Sequence, residues 1–167
     1  SRRVGVWIDE ALELFPADYW RYFIMATRPE TKDSNFSWEL FIEKINADLN
    51  DTFGNFIHRT LKFVNTQFDN EVPQPEMLSE EDERILKSVK EKVDTIAADI
   101  EDCRLLSATN NLISISRIGN QYLNEKEPWN LIKKDRGKAA NVIYVAVQIV
   151  KALVIISAPF IPFAAEE

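Results

Sequence analysis

Residues Ser37–Asp69 read SWELFIEKINADLNDTFGNFIHRTLKFVNTQFD, and the spacing of their apolar side chains decides what kind of fold the chain adopts. Trp38, Phe41, Ile42, Ile45, Leu49, Phe53, Phe56 and Val64 return at three- and four-residue steps, which on an α-helix gathers them into one stripe. The expectation is a single long core helix. Ser37 stands as its N-cap, with a hydroxyl that can accept a backbone N–H of the first turn. Glu39, Glu43, Asp48 and Asp51 fill the N-terminal half, while His58, Arg59 and Lys62 fill the other, the order a helix dipole favours. Asn55 and Arg59, four residues apart, share a face beside the stripe. An amide and a guanidinium at the lip of a core are held by packing while they reach outward, a geometry suited to the edge of a planar ligand. By itself the same pair also reads as solvated surface. Glycine inside a helix costs about 1 kcal/mol relative to alanine, so Gly54 implies close packing or close approach at that point.

Working outward, the N-terminal side holds two shorter helical patterns. Asp9–Phe15 is the first. Pro16–Arg28 is the second, with Pro16 tolerated in a first turn, Tyr19, Tyr22, Phe23 and Ala26 available for packing, and Pro29 as its stop. Ser1–Ile8 reads as a loop leading into a short extended piece, and Glu30–Asn35 as a polar connector. The chain starts without methionine, which suggests that residues upstream have been removed.

On the C-terminal side, the two prolines of Asn70–Pro75 mark a linker. Ser79 followed by four acids is a capping box that opens a helix through Glu101, with Ile85, Val89, Val93, Ile96 and Ile100 on one stripe and an acidic, solvated remainder. Leu105–Asn124 is the next helix, burying Leu105, Leu112, Ile115, Ile118, Gly119 and Tyr122. Asn124–Asp135, NEKEPWNLIKKD, is a connector in which Pro128 ends the path and sets Trp129 forward. That tryptophan reads either as a plug for the end of a bundle or as a flat platform for a nucleobase, where stacking contributes roughly 1–3 kcal/mol. Asp135–Ala158 is apolar almost all round, yet Gln148 and Lys151 interrupt it, so it is expected inside a bundle and not in a bilayer. Ala164–Glu167 reads as the start of a further helix that runs past the chain's end. About four long antiparallel helices with a smaller N-terminal appendage result.

Charge and composition narrow the partners. The net charge is −7, which argues against nonspecific adhesion to nucleic acid or anionic membrane. Ten acids and four bases between Glu76 and Asp102 account for most of it, however. Phe53–Phe68 contains no acid, and Lys133, Lys134, Arg136 and Lys138 form a second basic cluster. Specific RNA binding at those two places remains open. One cysteine, Cys103, and one histidine, His58, offer neither an internal disulfide nor a zinc site, and suggest a reducing cytoplasm. No secretory h-region, glycine-rich phosphate loop or paired nucleophile stands out.

Three separated stretches coincide in one pattern: INADLNDTFGNFIHR at Ile45–Arg59, NEKEPWNLIKKD at Asn124–Asp135, and SRRVGVWIDEALELFPADYWRYFIMATRPETKDSNFSWELF at residues 1–41. Together they resemble the C-terminal half of class I methionyl-tRNA synthetases of the archaeal type, over essentially the whole chain. The resemblance implies an all-α antiparallel helix bundle, the anticodon-binding domain of that family, with a partial stem-contact region in front. Residues 1–35 would be the remnant of the stem-contact region that follows the KMSKS loop, Ser1 lying at the tail of that signature, and 36–167 the anticodon-binding bundle, truncated at its C-terminus. The Rossmann catalytic domain, its HIGH motif and its zinc-bearing insertion have no counterpart. ATP and zinc would therefore belong to the missing part, and the fragment, with no cofactor of its own, should be inactive alone.

In that family an asparagine and an arginine four apart, together with a tryptophan after a proline, read a CAU anticodon. Carried over, these are Asn55, Arg59 and Trp129, with Pro128 shaping the turn. The resemblance implies Trp129 stacked on the splayed cytosine, hydrogen bonds from Asn55 and Arg59, and candidate phosphate contacts from His58, Lys62 and Lys133. The implied partners are methionine tRNA, initiator and elongator alike, and the enzyme's own catalytic domain, in the cytoplasm and away from membrane. Phe53-Gly54 before Asn55 and His58 before Arg59 depart from the bacterial wording. Two other readings stay open: an acidic helical protein-interaction scaffold, and the anticodon-binding bundle of a cysteine, valine or isoleucine enzyme of the same class.

Overall fold

The computed structural model describes residues 6–30 and 35–166, and among them every regular element is helical. Helices α1 (Ile8–Leu14) and α2 (Ala17–Ala26) come first. A continuous helical run follows in three parts: α3 (Trp38–Lys44), a π-helical stretch (Ile45–Gly54) and α4 (Asn55–Gln67). Then come α5 (Glu80–Glu101), α6 (Leu105–Lys126), the single turn α7 (Pro128–Leu131), α8 (Arg136–Ser157) and α9 (Pro162–Glu166). The expectations for Ser1–Ile8 and Glu30–Asn35 fall mainly on residues 1–5 and 31–34, outside the described residues.

Helix α6 is the hub: α5, α8, α4, the π stretch and α2 all pack on it. The all-α bundle expected from the sequence is therefore what forms, and the three-residue link Asp102–Arg104 turns α6 back along α5. Contact between α4 and α6 is close because Gly119 leaves room for Phe56. A Cβ at 119 would lie within 2.6 Å of three atoms of the Phe56 ring, which is itself fully buried. Helix α8 has the length and composition to cross a membrane, and half of that apolar window is buried in the molecule. Its Val145, Ala146, Ile149 and Leu153 belong to the core.

The uniform α-helix expected over Ser37–Asp69 is corrected in its middle. Ser37 does cap the run, accepting from Leu40 N–H at 3.1 Å. From Ile45, however, the winding widens to i→i−5 bonds, as between the Asn55 N–H and the Asn50 carbonyl. Thr52 Oγ1 also donates five residues back, to the Ala47 carbonyl at 2.7 Å. The buried apolar positions are Phe41, Ile45 and Leu49, then Phe56 and Val64 with Thr60 between them. A strict four-residue step drifts by about 40° per step around an α-helix. The slower π winding offsets that drift and keeps one face on α6 and α8. Trp38 and Ile42, placed in the stripe from sequence, stand 38% and 48% exposed. Trp38 instead packs edge-on against Trp20 and Phe36 in an aromatic cluster with Phe15, Phe23 and Phe41.

Several acids expected on solvated faces are buried and hydrogen-bonded. Asp48, in the first turn of the π stretch, is buried. It accepts from Tyr22 Oη at 2.8 Å and pairs with Lys44 at 2.7 Å, joining α2 to the π stretch. Asp82, the third residue of α5, completes the capping box with Ser79 and accepts from Tyr122 Oη at 2.7 Å. Burial pushes its carboxyl up, but the bonds from Tyr122 and Ser79 outweigh that and hold it below the usual range. Asp99 receives Ser107 Oγ at 2.6 Å and Arg104 Nε at 2.8 Å, and the Ser107 hydroxyl chiefly keeps it ionised to lower pH. Burial, then the neighbouring carboxylates, push the Tyr22 and Tyr122 phenols far up. At the other end Asp18 accepts the N–H groups of Phe163 and Ala164, tying α2 to α9, which begins at Pro162 and not at Ala164.

Candidate nucleic-acid interface

Arg59 and Trp129 are 70 positions apart in sequence and meet at one edge of the bundle. The chain reverses there through Glu127, which closes α6 in the left-handed conformation (φ 42°, ψ 58°). Pro128 then opens α7 at its first position, where a missing N–H costs nothing, and is buried. The expected connector is thus a tight turn plus one helical turn, and Glu127 carries the reversal where the sequence pointed to Pro128. Trp129, the second residue of α7, is 38% exposed, so part of its ring faces solvent.

The Arg59 guanidinium lies over that ring, with Cζ 5.4 Å from its centroid. It is held from the other side by two amides of α6. Nη1 donates to Asn120 Oδ1 at 3.2 Å and Nη2 to Asn124 Oδ1 at 2.8 Å. Asn120 is fixed in turn, because its Nδ2 donates to the Thr52 carbonyl at 2.9 Å and the Ser116 carbonyl at 3.2 Å. Two of the five guanidinium N–H groups are engaged in these bonds, and the other three have no side-chain or carbonyl partner among the described residues. The result is a preset planar cation against an aromatic plane, which matches the flat face and polar edge of a nucleobase.

Asn55 is exposed at the first position of α4, one turn before Arg59. It lines an open cleft of about 530 Å³ with Asn50, Asp51, Gly54 and His58. His58 also lines a second groove, which it shares with Leu61, Lys62, Asn65 and Val147. Lys133 stands exposed just past α7. The structure therefore brings Arg59 to Trp129, sets Asn55 with His58 in the open cleft, and puts Lys62 with His58 in the second groove. Among the described residues no group of His, Cys, Asp and Glu could hold a metal ion.

Asn120 and Asn124 escaped the sequence reading. Their signal was present as a run of hydrogen-bonding side chains every fourth residue, Ser116, Asn120 and Asn124, flanking Gly119 on a helix read only for its apolar side.

Residues 72–167 match the family model described as the anticodon binding domain of methionyl tRNA ligase, and residues 1–61 match that of class I tRNA synthetases (M). The methionine–tRNA ligase of Aeropyrum pernix is 42% identical over 99% of this chain, and that of Caldivirga maquilingensis 44% over all of it. The chain spans only 29% and 28% of those two proteins. Among solved structures, Mycobacterium tuberculosis methionyl-tRNA synthetase in complex with methionyl-adenylate superposes with a TM-score of 0.88 at 24% identity. That match covers 93% of this chain and 31% of the other, and supports the fold alone. With more than half of its length matched by the family model, the chain belongs to the family of methionyl-tRNA ligase anticodon-binding domains.

Proposed function

We propose that this chain is the anticodon-reading part of a methionine–tRNA ligase and recognises CAU in initiator and elongator methionine tRNA. The observation that carries this reading is the Arg59 guanidinium fixed over Trp129 by Asn120 and Asn124. Trp129 offers its exposed plane to the splayed cytosine, so that the base extends an existing cation–aromatic stack. The remaining donors of Arg59 and the amide of Asn55 meet base edges or the adjacent backbone. His58, Lys62 and Lys133 supply charge for phosphates around them, with Pro128 setting the turn.

Methionine activation with ATP belongs to the portion of the relatives that this chain does not span. On this reading residues 1–35 are the remnant of the stem-contact region, and residues 36–167 read the anticodon. The exposed apolar side chains Trp7, Ile8, Leu12, Leu14 and Ile24 on and beside α1 and α2 support contact between this end and the enzyme's catalytic part. The whole acts in the cytoplasm, where translation takes place.

Alanine variants test the assignment. Trp129→Ala and Asn55→Ala should each weaken binding of a CAU anticodon stem-loop by roughly 1–3 kcal/mol, the range for losing one stacked or hydrogen-bonded base. Lys133→Ala should weaken CAU and altered stem-loops alike. Unchanged affinity in both Trp129→Ala and Asn55→Ala would remove the assignment.

A further inference from the structure

Gly54 sits inside a helix in ordinary helical torsions (φ −63°, ψ −40°), so its conformational freedom is not being used. What the position needs is space. A Cβ built there would lie 2.9 Å from the Leu49 carbonyl oxygen, five residues back, closer than real Cβ contacts come. That oxygen is backbone and has no rotamer by which to withdraw. The π winding runs the Leu49 carbonyl through the volume that any other side chain would fill, which ties the presence of glycine to the wide turn.

The wide turn is also joined to Arg59. Within it the Thr52 carbonyl is taken by Asn120 Nδ2 at 2.9 Å, while Oδ1 of the same amide receives Arg59 Nη1 at 3.2 Å. One side chain therefore reads the winding of the π stretch at one end and sets the guanidinium at the other. Asn55, the first residue after the stretch, donates its N–H into it, to the Asn50 carbonyl. Rewinding Ile45–Gly54 toward α geometry turns the start of α4 about its axis and breaks the Thr52–Asn120–Arg59 chain. π segments of this kind are rare, and commonest at functional sites.

We propose that Gly54 is a positioning residue for anticodon discrimination: by permitting the π winding it sets the orientation of Asn55 and Arg59 on α4 relative to Trp129. The inference rests on the anticodon reading of Asn55, Arg59 and Trp129. Its test compares dissociation constants for CAU and GAU stem-loops across this chain, Gly54→Ala, Thr52→Val and the packing control Val89→Ala, with circular dichroism to verify the fold. Gly54→Ala should lose about tenfold of the CAU/GAU preference, the scale of one base contact. Thr52→Val, which removes only the hydroxyl bond to Ala47, should move the ratio the same way by a smaller factor. Val89→Ala should lower the melting temperature and leave the ratio alone, as loss of stability without loss of aim would. A folded Gly54→Ala that keeps the parent's ratio overturns the inference and leaves the anticodon reading standing. If Gly54→Ala does not fold, Thr52→Val decides: a reduced ratio supports the inference and an unchanged one overturns it. A parent chain with no preference for CAU removes both.

Discussion

Gly119→Ala isolates the contact that holds the reading helix against the hub. In an exposed helix this change is stabilising, by up to about 1 kcal/mol, because alanine loses less conformational freedom than glycine. Here the new Cβ would lie within 2.6 Å of three atoms of the Phe56 ring. Phe56 is fully buried, so the ring has no solvent to swing into. Helix α4 must then move away from α6 by several tenths of an ångström or more. Overpacking of this kind costs typically about 1–3 kcal/mol. Taking the middle of that range against the full propensity gain, the expected net loss is about 1 kcal/mol, or roughly 2–4 °C in melting temperature for a domain of this size. Thermal and urea unfolding followed by circular dichroism measures it. Adding Phe56→Leu, which shortens the obstructing ring, should recover part of the loss and give a coupling energy of roughly 0.5 kcal/mol or more. A Gly119→Ala protein that melts at or above the parent temperature would refute the packing argument, because the propensity term alone would then be acting.

Other sites give shorter tests. Asn120→Ala removes the acceptor for Arg59 Nη1 and uncaps the Thr52 and Ser116 carbonyls, so it should cost about 1–3 kcal/mol of stability in urea unfolding and weaken CAU stem-loop binding. Tyr22→Phe leaves buried Asp48 with Lys44 alone and should destabilise by about 1–3 kcal/mol, while Asp48→Asn, which can still accept from Tyr22, should cost less. Asp82, Asp99 and Asp135 are all held below the usual carboxylate value, so each binds its proton less readily folded than unfolded. Their contribution is complete above the unfolded value of about 4 and is lost as pH falls through their lower native values. Urea midpoints from pH 7 to 3 should therefore drop below about pH 4, and less steeply in Asp99→Asn. With their phenols pushed far up, Tyr22 and Tyr122 should add no phenolate absorbance until alkaline unfolding, so replacing either with Phe should leave the earlier titration amplitude unchanged.

The parts of this fold legible in the sequence are those set by local rules. The capping box at Ser79, the stripe from Ile85 to Ile100 and the apolar length of α8 each follow from periodicity and end chemistry, with no knowledge of neighbours. The π stretch was not legible, because its cause is three-dimensional. It needs a four-residue face kept against α6 and α8, a carbonyl passing the position of Gly54, and an amide from α6 to receive Thr52. Gly54 did signal close approach, but the approaching group turned out to be the helix's own backbone. Asp48, Asp82 and Asp99 look like surface in sequence because only the fold reveals Tyr22, Tyr122 and Ser107 beside them. In the same way Arg59 and Trp129 were each ambiguous until the turn at Glu127 brought them to 5.4 Å, and their asparagine supports were invisible until then.

The most direct test of the account is a titration of this chain with a CAU anticodon stem-loop and its GAU counterpart, following tryptophan fluorescence, with Trp129→Phe as the control because four tryptophans share the signal. The account predicts quenching by CAU that is much weaker with GAU and absent in Trp129→Phe. Equal responses to the two stem-loops, or a CAU response that survives in Trp129→Phe, would contradict it.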